Sequence, residues 1–154
     1  MRGLMMGPLL ISGLLEHAAA VHGDREIVSY TPEEPVYRGC YRALAERVRQ
    51  LAGALQTLGV GPGDRVATLA CSTHRHLEVF YAVSGIGAVC HTVNPRLHAD
   101  KVAWILNHAA DALMFVDLAF LPQAEAGRCH IFMRRSCRAR PAAHVQATPV
   151  AMLH

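Results

Sequence analysis

RVATLACSTHRHLEVFYAVSGIGAVCHTVNPRLHADKVAWILNHAADALMFVD, residues 65–117, is the stretch on which the fold turns. Arg65 to Ala70 is short and mostly apolar, as a buried strand is. His74 to Ile86 is helical, with Leu77, Phe80, Tyr81 and Ser84 expected near one face. Ala88 to Val93 reads as a second strand, after which Asn94-Pro95 turns the chain. A helix from about His98 to His108 carries Val102, Ile105 and Leu106 inward, and Ala112 to Val116 is a third strand ending at Asp117. Strands joined by crossover helices of this length must run parallel. The order is β-α-β-α-β, the start of a doubly wound, mainly parallel α/β sheet with right-handed crossovers expected.

Upstream, Pro8 to Val21 reads as a first helix, with proline near its start and Gly23 just past its end. Ile11, Leu14, Leu15, Ala18 and Val21 recur at helical spacing as a packing stripe would. Glu26 to Tyr30 is a strand, residues 31–35 a turn carrying two prolines, and Val36 to Gly39 the returning strand of a hairpin. A long helix spans Tyr41 to Leu58, because Leu44, Val48, Leu51, Leu55 and Leu58 repeat in steps of four and three. Arg42, Glu46, Arg47, Arg49 and Gln50 take its wet side. The stripe lasts barely two heptads, which favours core packing over a coiled-coil seam. Gly59 stops the helix, and Gly61-Pro62-Gly63-Asp64 forms the tight turn beyond it.

Of the 154 residues 52% are hydrophobic, 18% charged and 6% aromatic, which excludes disordered, collagen-like and disulfide-scaffold classes. The net charge of +3 is unevenly placed. Residues 1–125 hold ten of the fifteen basic side chains and all twelve acidic ones; residues 126–154 hold five arginines and no acid. That tail lacks either structural period, and its arginines could attract nucleic acid, but without the interleaved aromatics of a specific reader no nucleic-acid partner is expected. Five cysteines, Cys40, Cys71, Cys90, Cys129 and Cys137, form an odd set without a C-x-x-C pair, which argues against a disulfide framework or structural zinc and for a reducing cytoplasm. The start competes with that reading: Arg2, an apolar run from Leu4 to Leu15 and Ala18-Ala19-Ala20 imitate a secretory signal. Glu16 and His17, just before the would-be cleavage site, argue against it. No apolar run reaches the roughly 18 residues of a spanning helix, so no transmembrane segment is expected.

Little chemistry is visible. Gly85-x-Gly87 lies between a helix and a strand, whereas a phosphate fingerprint lies between a strand and a helix N-terminus. Lys101, the only lysine, has no neighbouring glycines. His74-x-His76 puts two rings on different faces of a helix, so no metal site forms there. Cys90 and His91 read as a small hydrophobe and a satisfied core polar residue. Ser72 and Thr73 follow a strand end, where open α/β sheets place ligands; they are either a phosphate or adenylate contact or, preferably, a cap for the next helix.

Tyr41-Arg42-Ala43-Leu44, Leu51-Ala52-Gly53-Ala54-Leu55 through Leu58-Gly59-Val60-Gly61-Pro62-Gly63-Asp64-Arg65-Val66-Ala67, and Gly87-Ala88-Val89-Cys90-His91-Thr92-Val93-Asn94-Pro95-Arg96-Leu97 together resemble the N-terminal part of the acyl-adenylate-forming (AMP-binding) family, specifically its medium- and long-chain fatty acyl-CoA synthetases. The likeness runs from Pro8 to about Glu125. It implies a ligase in which a carboxylate attacks the α-phosphate of ATP, with Mg2+ neutralising charge, and CoA thiol then displaces AMP from the acyl adenylate. It implies fatty acid and CoA as substrates and ATP, Mg2+ and CoA as cofactors of the full-length family. The family's phosphate loop, adenine-binding motif, hinge and catalytic lysine fall downstream of the likeness, so no catalytic, cofactor-binding or metal-ligating residue is assigned here. Residues 1–125 are expected to be the N-terminal segment of the large domain, and residues 126–154 a basic tail, disordered or derived from a shifted frame. Such a fragment is expected to be inactive alone, poorly soluble, open at a strand edge and a sheet face, and prone to self-association or pairing with another synthetase chain. Two departures stand out: the family's Thr-Tyr-Arg-Glu-Leu capping box has become Cys40 and Ala43, and Cys71-Ser72 replaces an aromatic residue or glycine followed by Asn.

Overall fold

A computed structural model describes residues 10–31, 34–126 and 151–152. Its elements in chain order are α1 (Ile11–Val21), β1 (Glu26–Thr31), β2 (Glu34–Cys40), α2 (Tyr41–Thr57), β3 (Arg65–Leu69), α3 (His74–Gly85), β4 (Val89–Thr92), α4 (Ala99–Ala109), β5 (Leu113–Val116), a 3-10 turn (Leu118–Phe120), α5 (Leu121–Ala126) and β6 (Ala151–Met152). The α/β class and the β-α-β-α-β order stand as expected, with helix, hairpin and long helix ahead of them.

β3, β4 and β5 are parallel, Val66 lying opposite Cys90 on one side and Leu113 on the other. Sheet order is β4-β3-β5-β6, so the chain steps outward from β3 to β4 and returns past it to β5. Successive side chains point to opposite faces, and both faces are covered. Val66, Leu113 and Phe115 join Leu15, Leu44, Val48, Leu55, Val79 and Val83 from α1, α2 and α3. Ala67, Leu69, Met114 and Val116 join Val102, Leu106 and Ala124 from α4 and α5. The expected open face is therefore closed by helices, and the opening is confined to the edge: β4 has no strand on its outer side among the described residues. Val89 there is 50% exposed.

Several local expectations need correction. The α1 stripe does not pack as a whole: Leu15 is buried, but Ile11, Leu14 and Val21 are exposed. On α3 the buried face is His74, Glu78, Val79, Ala82 and Val83, while Leu77, Phe80, Tyr81 and Ser84 are only half-buried. The reason is that α3 packs against α1 and α2 as well as the sheet, and its buried Glu78 faces Arg47 on α2, whose guanidinium Nε and Nη2 donate to the carboxylate at 2.5 and 3.0 Å. The hairpin is tighter than expected, with Thr31 paired to Glu34 and Pro35 inside β2. The ladder shifts register between Ser29 and Thr31, and a two-stranded sheet has only edge strands, where proline is tolerated.

Helix ends follow the local chemistry. Gly59, at φ +89°, reverses the chain after α2, a conformation glycine reaches without the Cβ clash. α4 ends on Ala110 at φ 53°, the left-handed region without a glycine to occupy it. α5 was not legible in the sequence because six residues carry too little periodicity to read. Ala151 and Met152 of the supposed aperiodic tail pair with Phe115 and Val116. The rest of that tail lies outside the described residues.

Candidate functional site

In the order β4-β3-β5 the helices that follow β3 and β5, α3 and α5, cover opposite faces, so the carboxyl ends of β3 and β5 flank a crevice of the kind where open α/β sheets bind ligands. Here a side chain of the protein closes that crevice. Asp117, just past β5, accepts a hydrogen bond from the Cys71 backbone N–H at 2.6 Å, and its own N–H donates to the Leu69 carbonyl at 3.1 Å. The carboxylate thus ties the loop leaving β3 to the end of β5. Behind it, Thr68 Oγ1 and His76 Nε2 are hydrogen-bonded at 3.1 Å, the direction depending on the imidazole tautomer. Burial lowers the His76 pKa, the nearby Asp117 charge opposing it, so the ring is held neutral.

Thr73 occupies the N-cap position of α3 with extended backbone but makes no side-chain cap bond. Its hydroxyl is buried and has no hydrogen-bond partner among the described residues. The expected local cap is replaced from a distance: Ser29 Oγ on β1 accepts from the His74 N–H at 3.0 Å. Tyr37 on β2 stacks on the His74 ring, centroids 3.6 Å apart and planes 6° from parallel. These two contacts seat the hairpin on the start of α3. Between them lies a cleft of about 290 Å³ with Ser72, Thr73 and His76 on its polar side and Ile27, Leu77 and Phe80 on its apolar side. Nothing in the spacing of Ser29, Tyr37 or Asp117 announces these roles. The one local signal is Asp117 at the end of an apolar strand run, the position where such sheets put functional carboxylates.

The other candidates fall into structural places. His91 on β4 and the buried Asp111 share a hydrogen-bonded pair at 2.9 and 3.0 Å, so His91 is a satisfied polar residue as expected. Burial raises the Asp111 pKa, with His91 and Arg65 opposing that shift. Burial likewise raises the Cys90 thiol pKa. Gly87, at φ +77°, turns α3 into β4, and its carbonyl accepts from the Gly63 N–H at 2.9 Å. Lys101 is exposed on α4, on the face of the sheet opposite the cleft. The cleft lining therefore offers hydroxyls and imidazoles but neither lysine nor arginine. Among the described residues no three His, Cys, Asp or Glu side chains converge on a point. This donor set does not fit a magnesium-bound triphosphate.

A family model described as AMP-binding enzyme matches residues 15–151. The chain is 48% identical over 119 residues to a medium-chain-fatty-acid–CoA ligase of Ectopseudomonas oleovorans, covering 77% of this chain and 22% of that protein. It is 47% identical over 125 residues to a 3-methylmercaptopropionyl-CoA ligase of Ruegeria lacuscaerulensis, covering 81% of this chain and 23% of that one. A solved fatty acyl CoA synthetase of Mycobacterium tuberculosis superposes with a TM-score of 0.65 at 26% identity, over 76% of this chain and 23% of that chain. The chain thus spans less than a quarter of the length of these relatives.

Proposed function

Because the chain belongs to the AMP-binding enzyme family, we propose that it is the N-terminal scaffold segment of a fatty acyl-CoA ligase, which joins a fatty acid to CoA through an acyl adenylate at the expense of ATP. The observation that carries the reading is the 48% identity to a ligase named for medium-chain fatty acids. The identity to a ligase named for a thioether acid is similar, at 47%. Within that enzyme this segment contributes position rather than reacting groups: Asp117 ties β3 to β5, and Ser29 and Tyr37 seat the hairpin on α3. ATP, Mg2+ and CoA belong to the full-length family, and no described residue is assigned to them. Among the described residues Cys40 and Cys90 carry free thiols, which supports the proposed cytoplasmic setting. No helix among the described residues is long and apolar enough to cross a membrane.

The test is ATP–pyrophosphate exchange by the purified 154-residue chain, with and without a medium-chain fatty acid. No exchange is expected. Fatty-acid-dependent exchange would overturn the scaffold reading and return Ser72, Thr73 and Lys101 to consideration as nucleotide contacts. A second reading, a non-catalytic module that pairs with other chains, is favoured by one observation, the outer edge of β4, which no strand among the described residues covers.

A further inference from the structure

We propose that the cleft between the β1–β2 hairpin and the start of α3 binds a monocarboxylate carried on a short hydrocarbon chain, the carboxylate at the N-terminus of α3 and the chain against the apolar wall. The site takes part in no acyl-transfer step, and the proposal does not rest on the ligase assignment.

Two observations at the start of α3 point to an anion. The first is Thr73. It stands at the N-cap with extended backbone, φ −108° and ψ 175°, where a threonine ordinarily bonds the N–H groups of the first turn, yet it makes no such bond. It lines the cleft, is only 8% exposed, and its hydroxyl has no partner among the described residues. A buried hydroxyl without a partner is a cost to the fold, and on the wall of a cleft it is a group that a ligand completes. The second is the charge of the helix end. α3 runs for 12 residues, and its first turn, His74-Arg75-His76, holds no acid to balance the positive end of the helix dipole. Such ends receive anions on their backbone N–H groups. The Ser29 hydroxyl accepts from one of these, the His74 N–H, at 3.0 Å, and so fixes the hairpin as the facing wall.

The remaining lining selects the anion. The polar side adds Ser72 and His76, and burial keeps the His76 ring neutral. Neither lysine nor arginine lines the cleft. Hydroxyl donors and the partial charge of one helix end match a single negative charge, whereas a phosphate dianion calls for a cation that this lining lacks. Ile27, Leu77 and Phe80 form the other side, an apolar surface that only a ligand with a hydrocarbon part removes from water. The volume of about 290 Å³ is at the small end of ligand pockets, which limits the chain to a short one.

The test is equilibrium dialysis of the full 154-residue chain against radiolabelled octanoate, with hydrogen exchange to place the ligand. Saturable binding is expected, with slowed exchange confined to residues 27–29 and 72–80. In competition, affinity should rise about two- to fourfold per added CH2 from butyrate to octanoate, fourfold being the value for full burial. Octanol keeps the chain without the charge and inorganic phosphate the charge without the chain, and each should compete at least about tenfold more weakly. Thr73→Val keeps the side-chain shape and removes the hydroxyl. It should weaken octanoate about tenfold while raising the Tm of the ligand-free chain, because the unpaired hydroxyl is gone. Thr73→Ser should keep wild-type affinity within about threefold, since it keeps the hydroxyl. If Thr73→Val does not fold, Phe80→Ala carries the test: it should weaken octanoate and leave butyrate unchanged. No saturable binding, octanol or phosphate competing as well as octanoate, wild-type octanoate affinity in folded Thr73→Val or Phe80→Ala, or protection mapped elsewhere would each overturn the proposal. Pyrophosphate exchange plays no part in these readouts, so this proposal and the ligase reading fail separately.

Discussion

Replacing Cys40 by threonine should stabilise the chain by about 0.5–1.5 kcal/mol, and the size follows from how the start of α2 is already satisfied. Cys40 is the N-cap of this 17-residue helix, at φ −136° and ψ 165°, the extended conformation a capping side chain needs. It makes no side-chain cap bond, and the first turn holds no acid. The loop before the helix supplies part of what a capping box would: the Tyr41 N–H donates to the Arg25 carbonyl at 3.3 Å and the Arg42 N–H to the Gly23 carbonyl at 3.0 Å. One threonine hydroxyl therefore adds a single bond, to the Ala43 N–H, which keeps the gain near that of one cap rather than a full box. For a chain of this length, that is a rise of very roughly 2–5 °C in Tm. Adding Ala43→Glu contributes a smaller increment, mainly by opposing the helix dipole. The assay is urea denaturation at fixed protein concentration of wild type, Cys40→Thr and Cys40→Val. Valine matches threonine in shape without the hydroxyl, so equal gains for both would refute the capping argument and assign the effect to packing.

Four further outcomes are expected. Glu78 is buried to 8% side-chain exposure while its partner Arg47 is half in solvent at 51%, so Arg47→Ala, which strands the carboxylate, should cost about 1–3 kcal/mol. That is more than Glu78→Gln should cost, and a double-mutant cycle in urea checks the coupling. Because the folded His76 resists protonation that the unfolded chain accepts near 6.5, its stabilising contribution is complete above that pH and is lost as pH falls toward its lowered folded value. The stability difference between wild type and His76→Gln should therefore shrink on acidification below 6.5; a pH-independent difference would contradict the assignment. Ser29→Ala removes the acceptor of the His74 N–H and should cost about 1–2 kcal/mol, with faster hydrogen exchange at the start of α3. Ala110→Gly relieves a left-handed alanine and should stabilise by about 0.5–1 kcal/mol in thermal melts.

The order of elements was legible without coordinates because it rests on local periods. The four-and-three steps of Leu44, Val48, Leu51 and Leu55 and the apolar runs around Val66 and Met114 leave one helical and one extended reading. Parallel pairing followed as well, since a helix of ten or more residues between two strands allows no hairpin. Other features depended on partners far along the chain. Which face of α3 is buried was decided by α1 and α2, and the buried stripe includes Glu78 because Arg47, 31 positions earlier, meets it. The apolar stripe of α1 is legible in the sequence, yet only Leu15 is buried and Ala18 half-buried, with Ile11, Leu14 and Val21 exposed. Ser29 and Asp117 acquired their roles across 45 and 46 positions from the backbone N–H groups they accept from. Periodicity reflects the geometry of one helix or strand and is written in neighbouring residues, whereas the choice of partner is settled by many weak contacts that exist only once the chain has closed on itself. Local periods suffice for the elements up to β5 and for their alternation, whereas only folding settles which strand end Asp117 seals and which edge no described strand covers.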